Sequence, residues 1–234
     1  MNNHESFFLK SPWTWKELLK LLTLVLVIVP IFIEYLLKEY LLHVLQNDLY
    51  SGTIVGLIMS FIFMFGLYII AMKPHNLSWE EVGLKKFSNK YWGAIFGWTV
   101  VVIVTSIAIV VVMDALLEVG SENTKTDSLQ SRMTLLNFLI GFVSAAIISP
   151  LYEEIFYRGF LYRFLRSKFG ILISMLGSSF IFMIVHIPTF NTLPINFISG
   201  IVFAWTYEKS GSIIPAMIIH ATFNGLAIIL TALG

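Results

Sequence analysis

Cysteine is absent from this 234-residue sequence. That excludes disulfides, a thiolate nucleophile and cysteine metal ligands together. Charge is also scarce: Asp, Glu, Lys and Arg make up only 12% of the chain, where a soluble domain carries about 25%. The charges nearly cancel, at +1, so no basic footprint argues for nucleic acid. Internal repeats are missing too, which weakens an ion-coupled transporter reading, since transporters commonly show two related halves. No small-residue cleavage site follows the first apolar run. The N-terminus is therefore expected to be a retained membrane helix rather than a cleaved signal.

What is abundant is apolar. Hydrophobic residues make up 57% of the sequence and mean hydropathy is +0.83. The expected fold is all-α, a polytopic transmembrane helix bundle of about seven spans (six to eight). The apolar runs place them near residues 19–37, 53–72, 92–113, 135–151, 171–187, 195–205 and 213–233. Ser11-Pro12 reads as a helix start, and Trp13 and Trp15 suit a membrane interface. In the loop over 73–90, Ser78-Trp79-Glu80-Glu81 fits a capping box, with Gly83 ending the turn; Glu80 and Glu81 are expected to be solvated. The loop over 114–132 is mixed in charge. Residues 1–133 read as membrane scaffold and 134–234 as the functional core.

Lysine and arginine set the orientation. Twelve fall on one set of segments (Lys10, Lys16, Lys20, Lys73, Lys85, Lys86, Lys90, Arg158, Arg163, Arg166, Lys168, Lys209) and three on the other (Lys38, Lys125, Arg132). The expectation is a multi-pass cell-membrane protein with a cytoplasmic N-terminus and an extracytoplasmic C-terminus.

The informative stretch is Pro150-Leu151-Tyr152-Glu153-Glu154-Ile155-Phe156-Tyr157-Arg158-Gly159. It follows seventeen residues, 135–151, that contain no charge. Ionisable groups at membrane depth are costly and by default mark function. On a helix, Glu154 and Arg158 are four apart and share a face, so the guanidinium can neutralise the carboxylate. Glu153 points about 100° away and stays available as a base. Pro150 offers a bend. Further on, Phe182 and His186 are four apart, as are His220 and Asn224. The last two offer donors able to stabilise an oxyanion. Each residue alone has a bland reading: a lone histidine or asparagine on a membrane helix usually joins helices, and the acidic pair could be a solvated helix end. The combination counts against that.

Glu153-Glu154-xxx-Arg158, Phe182-xxx-His186 and His220-xxx-Asn224, in this order on apolar helices, resemble the CPBP family of intramembrane proteases. That family includes CAAX prenyl endopeptidases and bacterial Abi proteins of bacteriocin processing and self-immunity. The resemblance covers roughly 137–227. It implies an intramembrane endopeptidase acting on a membrane-associated peptide or protein, with prenylated CAAX-type and bacteriocin or signal peptides as candidate substrates. By the same resemblance Glu153 activates water, His186 shares it, Glu154 and Arg158 hold the site together, and His220 and Asn224 form the oxyanion site. The family is often labelled metalloprotease. Glu153, His186 and His220 could ligate one Zn²⁺ with water in the open position, and a metal-free mechanism is equally viable; no tandem His-Glu-x-x-His signature is present. A non-catalytic immunity or peptide-binding scaffold is the alternative, and Glu153→Ala discriminates, since a scaffold keeps its effect without the base.

Overall fold

The computed structural model describes residues 7–117 and 134–233. Most of the mixed-charge loop, with Lys125 and Arg132, lies outside the described residues. No strand occurs among the described residues. Helix α1 is Trp15–Leu45, α2 is Asp48–His75 and α3 is Asn89–Ala115. The helical stretch Leu135–Ile184 breaks at Gly170, whose φ of 78° and ψ of −177° are non-helical, leaving α4 (135–169) and α5 (171–184). Helices α6 (Leu193–Ser210) and α7 (Ile214–Leu233) complete the bundle.

Seven rods thus stand where seven apolar runs were read. Five helical stretches are long and apolar enough to cross a membrane, with α4 and α5 counted as one. Their outward faces carry Phe32, Phe61, Phe96, Val104 and Leu172 exposed, as a lipid-facing surface requires.

Gly170 works as a corner because only glycine adopts this backbone readily. The chain folds back there, so Tyr157, thirteen residues before it, packs edge-on against Phe182, twelve after it (5.1 Å between centroids). Pro150 does not break α4. It falls between two stretches, Val143–Ile148 and Glu154–Tyr162, where the helix widens to π-type turns. Such widening is rare and concentrates at functional sites.

The N-terminal helix starts later than Ser11-Pro12 suggests. Thr14 is the cap, in a reciprocal box with Glu17, while the Ser11 hydroxyl accepts from the Trp13 amide (3.2 Å). Trp13 is not an interfacial ring: it is 2% exposed, donates through Nε1 to the Ala71 carbonyl (3.0 Å) and packs on Phe160 (4.9 Å). Trp15 remains half exposed.

The loop over 73–90 is also more engaged than its polarity suggests. Ser78 makes no side-chain cap; Gly83 does end the turn, at φ 78°. Glu81 is paired rather than solvated: Arg163 donates to its carboxylate (2.5 Å) and to its carbonyl. Val82 is fully buried against Gly159, where an added Cβ would lie 2.5 Å from the Val82 carbonyl oxygen. The same Arg163 guanidinium sits 3.8 Å over the Phe7 ring. One continuous core therefore joins Phe8 and Trp13 to Phe160, Tyr162 and Tyr207, across the boundary at 133.

Candidate active site

The site forms where α4, α5, α6 and α7 meet. Glu154 and Arg158 face each other one turn apart on α4, as their spacing predicts. Nη1 of Arg158 donates to Oε1 of Glu154 at 2.9 Å, and both residues are 0% exposed. A buried pair repays its desolvation only when further hydrogen bonds and good geometry support it. Nη2 of Arg158 reaches the Gly200 carbonyl (3.3 Å), and the guanidinium lies over Phe182 (4.3 Å) and Phe203 (5.0 Å). These ring faces attract a cation and keep water away. Gly200 is required by this closeness: a Cβ there would come 3.0 Å from Ser179 and 3.2 Å from the guanidinium.

His220 closes the network from α7. Its Nδ1 lies 2.9 Å from Oε1 of Glu154. A carboxylate only accepts, so Nδ1 carries the proton and Nε2 is the nitrogen left for chemistry. Nε2 points to Glu153, 3.8 Å from Oε2. The ring stacks on Phe203 (4.8 Å, 20°) and meets the Phe182 edge (5.9 Å), which fixes its plane. Glu153 is buried at 8% exposure and accepts a hydrogen bond from the Ser149 hydroxyl one turn back.

His186 lies two residues past the end of α5, with its ring edge-on to Phe182 (4.9 Å). Its Nδ1 donates to the Phe182 carbonyl (2.7 Å). Asn224 donates from Nδ2 to the Ala145 carbonyl on α4 (2.9 Å), which uses one amide hydrogen and leaves the second. The structure thus brings Glu153, Glu154, Arg158 and His220 into one hydrogen-bonded and electrostatic network. His186 joins it through the shared Phe182 ring, and Asn224 sits one turn beyond His220, tied to α4.

The proposed zinc set fares differently. Among the described residues no three His, Asp or Glu side chains gather in an arrangement able to hold a metal ion. Glu153 and His220 face each other (3.8 Å), and His186 does not gather with them into such a group.

Three participants escape a reading of the sequence. Ser149 stands four before Glu153, the same spacing that marks Glu154 and Arg158, so helical periodicity would have found it. Phe203 and Gly200 carry no chemical signature; only their packing against His220 and Arg158 reveals them. Glu208 is another buried carboxylate, on α6. It accepts from Tyr162 (2.7 Å) and from Arg166 (3.1 Å), a link between α4 and α6 built outside the site.

Residues 135–226 match the family described as type II CAAX prenyl endopeptidase Rce1-like. No curated protein and no solved structure matches the chain. The matched segment begins at the first residue of α4 and ends two residues past Asn224, so it contains all three motifs.

Proposed function

Since residues 135–226 form an Rce1-like domain, consistent with the CPBP family of intramembrane proteases, we propose that this protein hydrolyses a peptide bond of a membrane-associated CAAX-type substrate, with Glu153 as the base that activates water. The observation that carries this reading is the doubly held His220, bonded through Nδ1 to Glu154 and aimed through Nε2 at Glu153.

The charge balance explains the arrangement. Glu153, Glu154 and Arg158 sum to −1, and one further proton shared between Glu153 and His220 makes the buried cluster neutral, which a low-dielectric site favours. With that proton on His220, Glu153 is ionised and can take a proton from water as the oxygen attacks the scissile carbonyl. His186, beside the same Phe182 ring, shares that water. The imidazolium, held by Glu154 as a buried carboxylate holds the histidine of a hydrolytic triad, donates from Nε2 to the developing oxyanion. The second amide hydrogen of Asn224 adds a donor. Glu153 then returns its proton to the leaving amine. Arg158 stays outside the chemistry and holds Glu154 in place through their ion pair.

The substrate side follows from the surroundings. A site walled by Tyr157, Phe182 and Phe203 inside an apolar bundle suits a peptide already anchored to the membrane. The test is cleavage by purified protein of membrane-anchored C-terminal peptides, prenylated and unprenylated, with and without a chelator, read by mass spectrometry. Proteolysis that survives the chelator is the expected result. Proteolysis abolished by the chelator and restored by Zn²⁺ contradicts the metal-free route.

A further inference from the structure

A cavity of about 440 Å³ opens at the end of the bundle that carries Arg163 and Arg166, between the start of α3 and the end of α6, lined by Lys90, Tyr91, Ala94, Trp98, Trp205 and Lys209. It shares no residue with the active site. Two cations stand at its rim and no acid lines it. Lys209 rests its ammonium 4.2 Å over the Trp205 ring, and Lys90 rests its own 5.2 Å over Tyr91. The Tyr91 hydroxyl donates to the Lys209 carbonyl, which pins the two helices beside the cavity. No carboxylate pairs with either lysine among the described residues. The neighbouring Glu208 is turned inward, engaged by Tyr162 and Arg166.

Below the rim the lining turns apolar, at Ala94 and Trp98. It continues along the same face of α3 to Val101, which is exposed. A ligand that satisfies both halves has an anionic head at the helix ends and hydrocarbon running along a membrane-facing helix. We propose that this cavity is a binding site for an anionic phospholipid, its phosphate held between Lys90 and Lys209 and its acyl chain laid along Ala94 and Trp98. Lysines near headgroups attract anionic lipid, and tryptophan and tyrosine belong at that depth. Lysine held over an aromatic face rather than in an ion pair gives up little when a phosphate arrives.

Two tryptophans in the lining supply the probe. The purified full-length protein is titrated with phosphatidylglycerol or phosphatidylcholine, each brominated on its acyl chains, and tryptophan emission is followed. Wild type is expected to be half-quenched at a markedly lower concentration of the glycerol lipid. The preference should weaken about 5-fold for Lys90→Gln or Lys209→Gln and about 30-fold for both together. It should survive the double exchange to arginine. Peptide cleavage stays at the wild-type level in all of these, because neither lysine touches the active site. Equal quenching by the two lipids, or a preference that persists in the double glutamine variant, overturns the proposal. So does a preference abolished by millimolar inorganic phosphate, which would mark a site for soluble anions instead.

Discussion

His220 donates through Nδ1 to Oε1 of Glu154 at 2.9 Å, a bond between α7 and α4 that crosses 66 residues of sequence. It makes the second carboxylate of the acidic pair a support for the histidine, and leaves Nε2 for the reaction. Groups that act as a unit lose activity non-additively. Glu154→Gln and His220→Asn should therefore each lower turnover about 100-fold, while the double variant falls little below the worse single. Kinetics on one anchored peptide substrate check this; multiplication of the two losses would mean that the residues act separately.

Arg158 is different in kind. Its removal leaves Glu154 buried and uncompensated, which costs about 3–5 kcal/mol. Arg158→Ala is expected to lose folded yield and melting temperature in detergent together with activity. A well-folded, inactive variant would place the guanidinium in the chemistry instead.

Gly159 holds the 73–90 loop against α4. A Cβ at this position would meet the Val82 carbonyl oxygen at 2.5 Å and Val82 Cβ at 2.8 Å, and backbone cannot yield as a flexible side chain does. Gly159→Ala should destabilise by about 1–3 kcal/mol, as overpacking does. Gly97 is its control: nothing lies within 4 Å of an added Cβ there, and alanine is the better helix former. Gly97→Ala should be neutral or slightly stabilising. Equal melting temperatures for both variants would show that the loop does not need this contact.

Orientation can be read chemically, since the chain has no cysteine of its own. Lys86 and Glu39 are both exposed, the first in the loop between α2 and α3 and the second near the end of α1. With the N-terminus cytoplasmic, Lys86→Cys should react with a membrane-impermeant maleimide only when the cytoplasmic face is open. Glu39→Cys should react from the opposite face. The reversed pattern would invert the topology. Buried positions do not serve for such labelling: Tyr157 is 2% exposed and Ala216 0%.

Much of this arrangement was legible in the sequence because its signals are local. Apolar runs place seven helices, and the four-residue spacing of Glu154 and Arg158 states their pairing outright. The hairpin at Gly170 follows from where one apolar run ends and the next begins. What stayed hidden depends on contacts between distant segments. Glu81 looks like loop decoration until Arg163, 82 residues away, is seen to grip it. Trp13 looks like an interfacial ring until Ala71 is seen to accept from it. Which histidine faces Glu153 is set by how α7 packs on α4, and no spacing within either helix encodes that. Gly200 and Phe203 act through shape alone, so residue type gives no hint of their part.

The central claim is that Glu153 takes the proton from the attacking water. Its most direct measurement is the turnover of one membrane-anchored C-terminal peptide by purified wild-type protein and by Glu153→Gln, which keeps the side chain's size and removes its basicity. General-base assistance is worth about 10²–10⁴-fold. The account predicts a loss in that range, with folded yield and melting temperature unchanged. Near-wild-type turnover by a well-folded Gln variant would contradict it.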